Sequence, residues 1–155
     1  RYKTLYTYPN NVRAAKALIA AKYAGVEIEI AENFTLGVTN KEASFTEKFP
    51  LGKVPAMTLP TGEGIFESNA IATYAASFNA DELLGANAVE RAQIVQYTQW
   101  FENEVVPAAS VWLYPIFGYL KYNKEAHNKA VSDVKKFLEV FDKVQGNPTS
   151  VNLDG

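Results

Sequence analysis

The sequence predicts an α/β domain over residues 1–80 and an all-α domain over residues 87–155, joined by a linker at 81–86. Three observations carry that prediction. Strand-like and helix-like patterns alternate through the first half, the short run DELLGA interrupts them, and beyond it apolar residues recur only at helical spacing.

The first half divides as follows. Residues 2–8, rich in Thr and Tyr, form a strand that Pro9-Asn10-Asn11 stops. Asn10 or Asn11 caps the next element, because its side-chain oxygen accepts from a free amide at a helix start. An Ala-rich helix spans 12–24, and Gly25 ends it by taking a left-handed conformation without Cβ strain. Glu27-Ile28-Glu29-Ile30 alternates with period two, the mark of a half-buried strand. Strand-helix-strand favours parallel pairing through a right-handed crossover. After a loop over 31–41, a short helix over 42–49 places Phe45 and Phe49 on one face, and Pro50 closes it. Residues 56–59 and 65–67 are strands flanking a turn at 60–64, short enough for an antiparallel hairpin. Ser68 then caps a helix over 69–78. This order is the thioredoxin-like layout, a mixed four-stranded sheet with helices on both faces.

In the second half, Asn87 and Glu90 stand in capping-box spacing, and Val89, Tyr97, Trp100, Phe101 and Ala108 follow at roughly helical intervals. Pro107 kinks or ends that helix, lacking the amide donor. Pro115 and Gly118 mark a second break, and Ala130, Val134, Phe137, Leu138 and Phe141 mark a last amphipathic helix. The tail, 146–155, has no periodicity. Two or three helices carry Trp100, Phe101, Trp112, Tyr114, Phe117 and Tyr119, a large aromatic load for so small a bundle. The expectation is a helical domain that packs on other surfaces or is truncated.

Composition narrows the function. The 155 residues are 48% hydrophobic and 21% charged, an ordinary globular balance. Lys+Arg at 15 against Asp+Glu at 17 argues against a general nucleic-acid surface. No apolar run approaches the ~18 residues of a membrane span, and the first residues lack the layout of a secretory signal. The chain has no cysteine, which excludes disulfides, thiolate metal ligands and cysteine nucleophiles. A cytoplasmic protein is expected. The lone His127 sits in a polar run and reads as a surface residue, so no metal site is expected.

Chemistry concentrates in three places. Val54-Pro55 opens a strand; a trans proline merely starts it, whereas a cis bond turns the Val54 backbone outward to pair with an extended ligand. Glu67-Ser68 precedes a helix, either as a plain cap or as a site where free amides and a hydroxyl receive a carboxylate while Glu67 meets an ammonium. The turn Thr7-Tyr8-Pro9-Asn10-Asn11 is either a capped turn or a source of donors that stabilise a thiolate. A thiol pKa is near ~8.5, and each unit of depression corresponds to about 1.4 kcal/mol.

Taken together, LYTYPNNVRAAKALIAAKYAG, KFPLGKVPAM and FESNAIATY, in that order and spacing, resemble the glutathione transferase fold. With QWFENEVVPAASVWLYPIFG following, they resemble more narrowly the transferase-like N-terminal domain of the elongation factor 1 gamma family, over about residues 4–144. The resemblance implies a cis Pro55 and makes Val54 the backbone partner of a glutathione cysteinyl group. It puts Lys53 near the glycyl end and Glu67 and Ser68 at the γ-glutamyl end. The thiol-activating position falls on Asn10 first and Tyr8 second; transferases often place Tyr, Ser or Cys there, and an amide is a weaker thiolate partner. The resemblance also implies further helices beyond Val144, so the helical domain is expected to be incomplete. It implies no cofactor, with glutathione or a related thiol as ligand or substrate, and elongation factor 1 exchange subunits as partners. A homodimer stays open. Two functions follow from it: an interaction module of the elongation factor complex, or an enzyme conjugating a small thiol to an electrophile.

Overall fold

The computed structural model describes residues 3–144. The expected strand start at Tyr2 and the aperiodic tail at 146–155 lie outside the described residues. Contacts divide the chain into two compact units, Arg1–Ile94 and Val95–Gly155.

In the first unit, β1 (Thr4–Tyr6) pairs in parallel with β2 (Glu29–Ile30) and antiparallel with β3 (Ala56–Thr58), which pairs antiparallel with β4 (Gly64–Phe66). The order β2-β1-β3-β4 is the mixed four-stranded sheet expected. Period-two alternation sends neighbouring residues to opposite faces. Leu5 and Met57 join Ala14, Ala17 and Ile71 in one buried cluster, under α1 (Val12–Tyr23) and α3 (Ser68–Ala76). Ala56, Tyr6 and Val54 face the other way, onto Phe45, Phe49 and Phe34. The alanine stripe Ala14, Ala17 and Ala21 is buried at three- and four-residue spacing, and α1 packs against α3 along it. Each fully buried side chain such as Ile71 contributes about 1.5–3 kcal/mol by leaving water.

Where one helix is expected over 42–49, a 3-10 turn at Thr39–Lys41 precedes α2 (Ala43–Thr46). Helical bonds nevertheless run on, from Phe49 N–H to Phe45 C=O at 2.8 Å, so the two rings meet with centroids 4.8 Å apart. After α3, a 3-10 turn at Ser77–Asn79 leads into α4 (Ala80–Leu83). The expected linker thus begins within a short helix and turns at Gly85 (φ 89°), whose carbonyl accepts from Arg91 Nε at 2.9 Å. A Cβ at that glycine would lie 2.8 Å from the Arg91 backbone nitrogen, so no larger residue fits.

The contact division falls inside α5 (Ala88–Trp100). Asn87 Oδ1 accepts from the Val89 and Glu90 amides at 3.0 and 3.1 Å, and Glu90 reaches back to the Ala86 amide at 2.8 Å. The capping box therefore closes one residue earlier than the simplest form. Ahead of Pro107, Phe101–Val105 make a π-helical turn, and α6 (Val106–Leu113) starts with the proline in its first turn. The chain answers the missing proline amide by widening one turn instead of breaking. In the second unit, α7 (Lys124–Val144) sets Phe137 and Phe141 against Trp100, with Phe101 and Tyr97 on Phe141. Tyr114, Phe117 and Tyr119 are exposed. His127 is half-buried, with its Nδ1 enclosed and the tilted Tyr122 ring 5.3 Å away, and so is less exposed than expected.

Candidate functional site

Sheet register brings the three candidate segments to one edge. Tyr6 pairs with Ala56, and Ala56 with Phe66. Immediately beyond that row lie the β1–α1 turn, Val54-Pro55 and Glu67-Ser68. Two inter-strand spacings of about 4.8 Å make the row roughly 10 Å wide. That is the scale of a short peptide.

The Val54–Pro55 bond is cis, the isomer the resemblance implies. Val54 is half-buried, Pro55 is buried and Lys53 is exposed. Ahead of them, Asn40 acts as a clamp. Its Nδ2 donates to the Gly52 carbonyl at 2.7 Å, and its Oδ1 accepts from the Gly37 amide at 2.6 Å. Sequence reasoning missed Asn40, whose partner lies twelve residues away with no local signature.

At the head of α3 the structure corrects one assignment. Glu67, not Ser68, is the N-cap; it is exposed, has φ 71°, and makes no side-chain capping bond. Left-handed backbone at a non-glycine residue is strained and clusters at ligand sites. Ser68 is the first helical residue and only 5% exposed. The first helical bond runs from Ile71 N–H to Glu67 C=O at 3.0 Å. The amides of Ser68, Asn69 and Ala70 therefore have no acceptor within the helix, and this end carries partial positive charge.

The β1–α1 turn resolves the two asparagines. Asn11 is the cap: its Oδ1 accepts from the Arg13 amide at 3.1 Å, and its Nδ2 donates to Thr7 Oγ1 at 3.1 Å. Both Asn11 and Thr7 are buried, and the Thr7 hydroxyl donates onward to the Tyr8 carbonyl at 3.3 Å. Asn10 is exposed with φ 61°, and Tyr8 is exposed as well. Tyr8, Asn10 and Asn11 line a cleft of about 770 Å³ with Val12, Leu18 and Phe34. Lys53, Val54, Pro55, Glu67 and Ser68 are not among its lining residues. Among the described residues, no group of three or more His, Cys, Asp or Glu side chains converges as a metal site. No helix among them is long and apolar enough to cross a membrane.

A mixed four-stranded sheet, a cis proline just ahead of β3 and an open helix end after β4 agree with the fold that the resemblance to glutathione transferases implies. Residues 3–77 match the sequence model of the glutathione S-transferase N-terminal domain. A delta-class glutathione transferase of Nilaparvata lugens has the same fold: TM-score 0.78, 25% identity, 90% of this chain and 66% of that one covered. More particularly, the chain is related to elongation factor 1-gamma. It is 46% identical over 138 residues to the Artemia salina protein, covering 89% of this chain and 31% of that protein. It is 46% identical over 142 residues to elongation factor 1-gamma-A of Xenopus laevis, covering 90% and 32%. The chain spans about a third of the length of these relatives.

Proposed function

We propose that this chain is the transferase-like domain of a translation elongation factor of the gamma type, working in the cytoplasm as an interaction module for the nucleotide-exchange subunit. The observation that carries this reading is the 46% identity to elongation factor 1-gamma across nine-tenths of the chain. The aromatic packing of the second unit and the exposed Tyr114, Phe117 and Tyr119 support a docking role. Co-sedimentation of the domain with exchange subunits tests it; a domain that migrates alone at micromolar concentrations of both sinks the idea. The same run reads whether a second copy associates.

The domain also holds a small thiol peptide of the glutathione type. Val54 offers extended backbone to the cysteinyl part, Lys53 lies by the glycyl end, and Glu67 with Ser68 receives the γ-glutamyl end. The support is the register that sets these groups along one roughly 10 Å edge. Calorimetric titration with glutathione checks it. Binding is expected, and Ser68→Ala is expected to weaken it about tenfold, the scale of one hydrogen bond to a charged group; a flat titration of the intact chain removes the site.

A second reading, thiol conjugation to an electrophile, is favoured by the cleft beside Asn10 and Tyr8. There the thiol gives its proton to water, a hydrogen bond donated by Asn10 Nδ2 or the Tyr8 hydroxyl stabilises the thiolate, and the sulfur displaces a leaving group such as chloride from the electrophile. An amide donor stabilises a thiolate less than a hydroxyl, so turnover is expected to be slow. A chromogenic electrophile assay with Asn10→Ala and Tyr8→Phe decides: rates equal to the uncatalysed background dispose of the enzyme reading without touching the binding one.

A further inference from the structure

We infer that the connection between α6 and α7 is the docking face of the second unit, and that it takes an acidic, aliphatic-rich segment of the exchange subunit. The inference rests on the docking reading above and gives it a surface and a chemistry. Backbone bonds fix this connection at both ends. Beyond Leu113 the chain makes one more helical turn, with the Phe117 amide donating to the Leu113 carbonyl at 3.3 Å. Gly118 then takes φ 77°, its amide donates to the Pro115 carbonyl at 3.2 Å, and the Tyr119 amide donates to the Tyr114 carbonyl at 2.9 Å. That crossed pair of bonds is a Schellman turn, which folds the residue after the glycine back onto the residue that opens the turn. Here the contact is aromatic. The Tyr114 and Tyr119 rings meet edge-on with centroids 5.6 Å apart, and the Phe117 ring lies 6.3 Å from Tyr119. At the far end Asn123 caps α7, its Oδ1 accepting from the Ala126 amide at 2.9 Å, and the Tyr122 ring lies 5.3 Å from His127.

Burial does not account for this order, since Phe117 is 64% exposed and Tyr119 is 73% exposed. Rings that are held in place yet left in water lose little freedom when a partner covers them, so the face is preorganised for binding. Tyr and Phe are also enriched at the cores of protein interfaces. The charge around the rings selects the occupant. From Val105 to Lys124 the sequence has no Asp or Glu, while Lys121 and Lys124 are both exposed. The face is thus apolar with a positive rim, and its complement is apolar with a negative one. A second copy docked about a two-fold axis would bring this positive rim against itself. Single-stranded RNA could use the rings and the lysines, but the chain's net charge of −2 disfavours a polyanion. A protein segment with aliphatic residues flanked by Asp or Glu satisfies both halves of the face.

The test is an anisotropy titration of fluorescently labelled exchange subunit with the 155-residue chain and its variants, at low and high salt. Phe117→Ala and Tyr119→Ala are each expected to weaken binding at least about fivefold, the scale of an interface anchor. Gly118→Ala removes no contact, but a side chain resists φ 77°, and loss of the turn is expected to weaken binding by about the same factor. Lys121→Glu combined with Lys124→Glu is expected to weaken it about tenfold at low salt and to flatten its salt dependence. Leu36→Ser, at an exposed leucine of the first unit, is expected to leave the affinity unchanged. Aromatic variants that bind like the unaltered chain overturn the inference and leave the docking reading to another surface. Lysine variants that bind like the unaltered chain overturn the acidic occupant. So does self-association of the free chain that Phe117→Ala abolishes, and so does capture of a single-stranded uridine oligonucleotide that the same variants lose. An unaltered chain that does not bind the exchange subunit is a different result: it removes the docking reading itself, and this face with it.

Discussion

Two neighbouring asparagines do opposite work in the β1–α1 turn. Asn11 satisfies the Arg13 amide and holds the Thr7 hydroxyl, while Asn10 takes the left-handed backbone that lets the chain enter the helix. Asn11→Ala removes a cap and the donor to the buried Thr7 hydroxyl, which keeps its bond to the Tyr8 carbonyl, so it is expected to cost about 1–2 kcal/mol in urea unfolding. Asn11→Asp keeps the acceptor and loses only the donor, and is expected to recover part of that. Asn10→Gly is expected to be nearly neutral, whereas Asn10→Val costs about 1 kcal/mol or more, since a branched side chain resists φ 61°. Equal effects at the two positions would contradict the division of roles. The sequence shows an asparagine cap but cannot choose between the two, because the choice depends on Thr7 and on a backbone angle. Ser68 illustrates the same limit. Its place at a helix start is legible, but the one-residue shift that makes Glu67 the cap follows from Glu67 taking φ 71°, which local propensity disfavours.

Strands and helices are legible where their apolar periods are strong, as in α1, α7 and the β3–β4 hairpin, and blurred where long-range bonds decide the backbone. Asn40 is the clearest case: it ties the loop at Gly37 to Gly52, two residues before Val54. Gly52 itself has φ 58°, and a Cβ there would lie 2.7 Å from the Asn40 carbonyl oxygen. Asn40→Ala leaves the Gly37 amide to solvent and strands the carbonyl of buried Gly52, and is expected to cost about 1–3 kcal/mol. It is also expected to weaken glutathione, because the clamp holds the segment leading to Val54. Gly52→Ala should act in the same direction through backbone strain and collision. Denaturant unfolding paired with calorimetry separates the two consequences; loss of stability with unchanged ligand affinity would detach the clamp from the site. The π-helical turn at Phe101–Val105 belongs to this scale too. Pro107 announces a disturbance, but whether a helix breaks or widens depends on packing, and here Trp100 and Phe101 remain on Phe141 across it.

Across the whole molecule, the two units differ in how well their interiors are closed. Leu5, Met57 and Ile71, the largest fully buried side chains among the described residues, all belong to the first unit. The second unit buries Val105, Ala130 and Val134, while Ile116, Phe117, Tyr119, Leu120 and Tyr122 remain exposed. The division between the units left no mark in composition because one helix, α5, runs through it. The aromatic surplus of the second half, by contrast, is legible from sequence, and Tyr114, Phe117 and Tyr119 from it are exposed. Burial of large side chains contributes about 1.5–3 kcal/mol each, so local stability is expected to follow this contrast. Native-state hydrogen exchange on the 155-residue chain reads it amide by amide. The slowest amides are expected in β1, β3 and α3, and those of α6 and α7 are expected to open at least about 2 kcal/mol more easily, roughly thirtyfold faster. A bound exchange subunit that covers the exposed aromatic segment should slow α6 and α7 and leave β1 and β3 unchanged. Uniform protection across both units in the free chain would mean that the exposed side chains do not weaken the second unit, and the docking role would lose its energetic motive.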